Sequence, residues 1–244
     1  MTAGTLGRNV WEGLLDLLYP PRCLICGAEG EVAVCETCHD EFAPIPLPTC
    51  PVCGRPNDPP PCRFCTDTHP WAFVAARAAS IYEGPLRHGI HELKYGGKEG
   101  LGEPLGAHLA NRFVAEGLYP PAVWDRIDLI LPMPVDPRHR RHRGYNQADL
   151  LARPVAEMTG KPLLTNAVRR VRSGPAQVSL TAAARRANVT PENFQVTKPT
   201  ELAGAVILLV DDVFTTGTTA DACAAALVRA GAAAVYVAAL AAGD

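Results

Sequence analysis

The chain has 244 residues, a formal net charge of −2 and 48% hydrophobic residues. That length buries a sizeable core and suits one large domain or two small ones. The near-neutral total sets up no global field toward nucleic acid or a lipid surface, and no charge-free apolar run reaches bilayer-spanning length. The charge is unevenly spread, however. Residues 1–70 hold 4 Lys/Arg against 9 Asp/Glu, whereas residues 136–188 hold 11 against 3, so an anionic ligand is expected at the second block.

The N-terminus lacks the basic start, long apolar stretch and small-residue cleavage site of a signal peptide. A cytoplasmic location is therefore expected, without stable membrane insertion. In a reducing compartment eight of the nine cysteines favour metal over disulfides. Residues 5–18 carry Leu6, Val10, Trp11, Leu14, Leu15, Leu17 and Leu18 near helical spacing, which predicts a short amphipathic helix ending before Pro20-Pro21. Its charge is not basic, so it is expected to pack on its own protein.

An internal repeat follows. Cys23, Cys26, Cys35 and Cys38 recur as Cys50, Cys53, Cys62 and Cys65, each displaced by 27 residues, and Gly27 and Gly54 follow the second cysteine of each set. Four thiolates suit tetrahedral Zn2+ and leave no position for water, so both sites read as structural. The segment is proline-rich and too small for a core of its own, so metal would supply much of its folding free energy. An iron–sulfur cluster takes the same ligands, and spacing does not separate the two. His39 and His69 stand nearby and read as bystanders.

A second domain is expected over residues 71–244, after a metal-binding first domain over 1–70. Trp71 to Tyr82 reads as a strand, and Pro85 opens a helix carrying Leu86, Ile90 and Leu93. Leu93 to Lys98 reads as a basic turn in which Lys94 meets a phosphate or simply ends the helix. A helix is predicted from about Gly102 to Glu116 and a buried strand over Asp128 to Met133. The segment after it holds Asp136, Arg138, Arg140, Arg141 and Arg143 and reads as a basic loop that either meets a second anionic group such as a pyrophosphate, since guanidinium forks bind phosphate oxygens bidentately, or forms a solvated face. A helix through Met158 and a strand from Pro162 to Val171 are predicted next. Residues 172–188, with Arg185 and Arg186, read as a flap.

Val206 to Val210 is an unbroken apolar run, the pattern of a strand buried on both faces of a parallel sheet. Asp211 and Asp212 are expected to end it. Thr215, Thr216, Gly217, Thr218 and Thr219 then form a loop before an alanine-rich helix, Ala220 to Ala230, stopped by Gly231. Ala233 to Leu240 reads as a final strand. A loop from a strand end into a helix N-terminus presents unpaired N–H groups and the positive end of the helix dipole, which favours an anion. The two carboxylates fit a ligand that also brings sugar hydroxyls and a bridging Mg2+; a phosphorylated ribose has all three.

This stretch resembles the phosphoribosyl pyrophosphate (PRPP) loop of type I phosphoribosyltransferases. Together with the two cysteine repeats, Leu93-Lys94-Tyr95, Arg143 to Gln147, Gln177 with Leu180, and Arg185 to Val189, the chain resembles the ComF competence-protein family over nearly its whole length. The resemblance implies an α/β fold: a parallel-sheet phosphoribosyltransferase-like domain behind an N-terminal double four-cysteine zinc ribbon. It implies that Asp211 and Asp212 hold ribose hydroxyls and Mg2+, that Thr215 to Thr219 hold the 5′-phosphate, and that Asp136 to Arg143 face pyrophosphate. It further implies a role in DNA uptake, with DNA-uptake proteins as partners; the basic block and the zinc ribbons read as a surface for single-stranded DNA, although Tyr145 is the only aromatic residue of that block. Ribosyl 5-phosphate transfer to an acceptor is the alternative. Leu180 to Arg185 departs from the family pattern, which tends to carry a Ser and a Glu before the arginines.

Overall fold

The computed structural model describes residues 21–30, 32–56, 62, 65, 71–171 and 189–243. The helix expected over residues 5–18, His69 and the flap with Arg185 lie outside the described residues.

Four parallel strands form the main sheet: β1 (Ala75–Ile81), β2 (Leu129–Pro132), β5 (Val206–Phe214) and β6 (Ala234–Ala242), in the order β1-β6-β5-β2. Strand β5 is central and apolar on both sides. Leu208 and Val210 pack into the core on one face, and Ile207 and Leu209 into the core on the other. Two shorter strands, β3 (Val168–Arg170) and β4 (Phe194–Val196), pair antiparallel beside it.

Helix α2 (Gly84–Tyr95) covers the first face. Proline at the start satisfies the donor-free first turn, and Leu86, Ile90 and Leu93, at i, i+4 and i+7, are fully buried; each contributes roughly 2 kcal/mol of apolar burial. Helix α3 (Gly102–Ala110) runs on through a π turn at Asn111–Ala115, and α4 (Pro121–Trp124) is a single turn. Helix α6 (Gln147–Thr159) shares that face, while α8 (Thr218–Arg229) covers the other. One turn of helix, α7 (Pro199–Leu202), precedes β5.

Three sequence expectations change. Strand β5 does not stop at the two aspartates. It runs to Phe214 because β6 continues beside it, pairing Asp211 with Ala239, Val213 with Ala241 and Phe214 with Ala242. The basic loop is a helix, α5 (Pro137–Arg143). Asp136 accepts a hydrogen bond from the Arg138 N–H at 2.8 Å, and Gly144, at φ 87°, closes the far end. The strand expected from Pro162 to Val171 is split: Leu163 makes one parallel bridge to Ile130, and the chain turns before β3.

The cysteine-rich segment lies along the outer edge of the sheet. Ser80 of β1 bridges antiparallel to Pro44, the Ile81 N–H donates to Ala43 O at 2.8 Å, and the Ala76 N–H donates to Val52 O at 2.7 Å. An edge strand that would otherwise offer free backbone groups is thereby covered. A helical turn within the segment, α1 (Glu36–Asp40), carries Cys38 into the same core as α2.

Candidate functional site

Each cysteine quartet is gathered at one point. The ligand atoms within each set lie within 4.8 Å of one another. Sulfur separations are 3.9 Å for Cys23–Cys38, 3.7 Å for Cys26–Cys35, 3.8 Å for Cys50–Cys65 and 3.7 Å for Cys53–Cys62. A tetrahedron with Zn–S bonds of about 2.3 Å has edges of about 3.8 Å, so the residues fit the ion. The Cys35 N–H points at Cys23 Sγ, 3.4 Å away, as expected of a knuckle that satisfies thiolate charge with backbone donors. His39 is outside both sets; its Nε2 lies 3.2 Å from His108 Nδ1.

The second site is a cleft of about 240 Å³ at the carboxyl ends of the parallel strands, where ligands bind in open α/β sheets. Its floor is Asp211 and Asp212. Successive residues of a strand point to opposite faces, and here that splits the pair. Asp212 turns toward α2 and α6, where Lys94 Nζ lies 2.6 Å from one carboxylate oxygen and Gln147 Nε2 donates to the other at 2.6 Å. Burial works against the Lys94 ammonium, but the charge and hydrogen bond of Asp212 outweigh it and hold its pKa above the ordinary value. Asp211 keeps some exposure to the cleft and accepts from the Asp212 N–H at 2.8 Å. Dense surroundings and then the neighbouring Asp212 charge push its carboxyl up to about 7, against the pull of Lys94.

The opposite wall is the loop into α8, through Thr215, Thr216, Gly217 and Thr219; Thr218, expected in the same set, lies outside the lining. Thr215 is exposed, Thr216, Thr218 and Thr219 are half-buried, and Gly217 is buried. Gly217 stands at φ 80° as the N-cap and has no side chain to cap the helix; the Thr218 N–H makes a long contact of 3.5 Å to Thr216 Oγ1, and the positive end of the helix faces the cleft side of the loop. The Thr216 and Thr218 hydroxyls are 3.0 Å apart. The Gly217 site admits no side chain: a Cβ there would lie 2.9 Å from Phe214 Cζ and 3.2 Å from Trp71.

Helix α5 supplies a third wall, but only in part. Asp136, His139 and Arg143 line the cleft, whereas Arg138, Arg140 and Arg141 are exposed outside its lining. Asp136 spends one carboxylate oxygen on its own helix N-terminus. Among the polar side chains of the lining, Gln147, Arg170 and Tyr95 were given no site role by the sequence reading. Arg143 donates to Gln147 Oε1 at 2.7 Å and holds its guanidinium 5.0 Å from the Tyr95 ring centre, with 61% of Tyr95 exposed. Tyr95 and Arg143 come from distant segments, so no local motif announces the pair.

A floor of two carboxylates, an amide-rich wall and cationic side chains can together hold a polyhydroxylated, phosphorylated ligand with a divalent cation. The chain is thus a metal-stapled α/β protein with its cleft at the strand ends. A family model described as a double zinc ribbon domain matches residues 14–69. The DNA utilization protein YhgH of Salmonella typhimurium is 31% identical over 231 residues, 91% of this chain and 96% of its own. Competence protein ComFC of Bacillus subtilis is 25% identical over 209 residues, 82% of this chain and 80% of its own. The chain belongs to the ComF competence-protein family, that of YhgH. Among solved structures, glutamine PRPP amidotransferase from B. subtilis is similar at 23% identity and a TM-score of 0.36; the match covers 56% of this chain and 25% of that one. No helix among the described residues is long and apolar enough to cross a membrane.

Proposed function

We propose that the cleft binds Mg-PRPP and that the protein serves DNA uptake. The observation that carries this reading is the placement of Asp211 in the cleft lining opposite Thr215, Thr216, Gly217 and Thr219, the loop that enters α8 with no side-chain cap from its N-cap residue. Asp211 and Asp212 are the residues to accept from ribose hydroxyls and to hold Mg2+, whose chemistry when bound is to neutralise pyrophosphate oxygens. Thr215, Thr216, Thr219 and the amides at the start of α8 take the 5′-phosphate. Arg143 and His139 stand where the pyrophosphate would lie, and Lys94 reaches the same place once Asp212 turns to the sugar. DNA utilization and competence are the roles carried in the names of YhgH and ComFC, and membership of their family supports that role here. Calorimetry with Mg-PRPP on the wild type and on Asp211→Ala/Asp212→Ala tests the binding step; equal affinities would end this reading.

A second reading is transfer of ribosyl 5-phosphate to an acceptor. Tyr95 favours it, as an exposed ring at the cleft mouth backed by a guanidinium, a surface on which a heteroaromatic acceptor can stack. The cationic wall would then stabilise the departing pyrophosphate. Pyrophosphate release with a panel of bases and amines separates a transferase from a binding protein. The same ring under Arg143, together with the exposed Arg138, Arg140 and Arg141 of α5, also supports contact with single-stranded DNA, with DNA-uptake proteins as further partners.

A further inference from the structure

We propose that Arg55 and Trp71 are positioning residues for the anion loop, and that through them metal in the second cysteine quartet, and not in the first, sets the loop's geometry. The proposal rests on the reading of residues 215–219 as the phosphate wall.

The second quartet is anchored to the sheet before it reaches the loop. Its knuckle closes through the Cys50 N–H to Arg55 O at 2.9 Å and the Gly54 N–H to Cys50 O at 3.0 Å. The knuckle lies flat on β1: a Cβ at Gly54 would collide with the Ala76 carbonyl, and Arg77 donates to Cys50 O at 3.4 Å and Pro51 O at 2.9 Å. From that fixed base, the residue that closes the knuckle, Arg55, donates to Thr215 O at 2.7 Å, across 160 residues of sequence. In a trans peptide the C=O and the following N–H point in opposite directions. A cation holding the Thr215 carbonyl on the ribbon side therefore turns the Thr216 N–H away from the ribbon. That contact orients a candidate phosphate donor without touching the ligand.

A second line runs through the last cysteine. Trp71 Nε1 donates to Cys65 Sγ at 3.3 Å, and the indole lies against Gly217, the loop's left-handed hinge. It is held there by stacking on Phe73, with ring centres 5.1 Å apart. The next residue, Ala72, donates its N–H to Asp221 Oδ1 at 2.7 Å, in the first turns of α8. Metal that draws Cys65 into its tetrahedron thus fixes the indole that packs the hinge.

The first quartet has a different neighbourhood. Cys23, Ile25 and Cys38 join the core around α2 and α3, and Lys98 donates to Leu24 O at 2.9 Å. The two metal sites are therefore expected to separate in experiment.

The test uses the full-length zinc-loaded protein and the variants Arg55→Ala, Trp71→Phe, Cys65→Ser and Cys26→Ser. Zinc content, Mg-PRPP affinity and amide exchange of the peptide spanning residues 215–221 are measured. Arg55→Ala should keep both zinc ions, speed exchange in that peptide and weaken Mg-PRPP about tenfold, the loss of one charge-assisted hydrogen bond. Cys65→Ser should lose one zinc and speed the same exchange, while Cys26→Ser loses one zinc and leaves it unchanged. Should Cys65→Ser fail to fold, Arg55→Ala and Trp71→Phe decide the question. Wild-type exchange in both of those variants overturns the proposal, as does an equal effect of Cys26→Ser and Cys65→Ser. Failure of the wild type to bind Mg-PRPP removes the ligand reading and leaves the exchange result to judge the coupling.

Discussion

Lys94, in the last turn of α2, and Asp212, in β5, form an ion pair 2.6 Å long with only 17% and 6% of their side chains exposed. Such a pair contributes little net stability, because both ions lost their water, but removing one partner strands the other. That costs about 3–5 kcal/mol. Lys94→Met is therefore expected to lower the melting temperature by about 10 °C, at roughly 2–4 °C per kcal/mol for a chain of this size. The double variant Lys94→Met/Asp212→Leu should recover most of that loss. Thermal unfolding followed by circular dichroism checks both, and a double variant no better than the single would show that the pair is not what matters.

Asp211 couples the site to pH. Its carboxyl is pushed up to about 7 by burial and by Asp212, with Lys94 and Arg170 pulling the other way. The folded state therefore holds a proton that the unfolded chain has already released. The group's contribution to stability falls as pH rises from about 4 through about 7. Binding to a cation runs in the opposite sense, because the proton must leave first. Mg-PRPP affinity is expected to rise by up to about tenfold per pH unit below 7 and to level off above it. Titration by calorimetry between pH 5.5 and about 8.5 reads this directly; in Asp211→Asn the affinity should be weak and flat across that range.

The hinge of the phosphate loop tolerates only glycine. At φ 80° a side chain is strained, and a Cβ would press on Phe214 at 2.9 Å and on Trp71 at 3.2 Å. Backbone strain of this kind costs of order 1–3 kcal/mol. Gly217→Ala is expected to lower stability by that amount and to weaken Mg-PRPP further, since the strain is relieved only by moving the amides. Melting temperature and affinity measured together check it: a variant with wild-type affinity would mean that the loop amides do not touch the ligand.

The strands and helices around this site were legible because each carried one dominant signal. The apolar run of Val206 to Val210 marks a strand buried on both faces, and Leu86, Ile90 and Leu93 mark one side of a helix. Eight cysteines at matched spacing marked two four-thiolate sites, and the sulfur positions agree. Where two signals competed, the reading failed. The arginines of residues 138–143 suggested a loop, yet Asp136, Pro137 and Gly144 supply the cap, first turn and stop of a short helix. Two adjacent aspartates suggested a strand end, yet ladder pairing with β6 carried β5 four residues past Val210. The split of those carboxylates between two faces follows from strand geometry. What fixes their chemistry, the ammonium of Lys94 and the amide of Gln147, comes from segments far off in sequence. The same holds for Tyr95 under Arg143 and for Arg55 on Thr215, pairings that exist only once the chain has folded.

The exposed face of α5 separates two modes of binding to single-stranded DNA. Arg138, Arg140 and Arg141 are exposed and lie outside the lining of the strand-end cleft, so their part in binding would be charge neutralisation, which releases counterions. Removing one phosphate-neutralising side chain should reduce the slope of log affinity against log salt by about 0.7 for a single strand. The triple variant with glutamine at these positions is expected to flatten the slope by about 2 while keeping the fold. Tyr95 acts through its ring, and stacking of a base is worth about 1–3 kcal/mol with little dependence on salt. Tyr95→Ala should then weaken binding about tenfold with its slope unchanged. Fluorescence anisotropy with a labelled oligonucleotide across a salt series distinguishes these outcomes. Unchanged slopes in the triple variant would move the DNA-binding surface off α5, and unchanged affinity in Tyr95→Ala would leave that ring to the PRPP cleft alone.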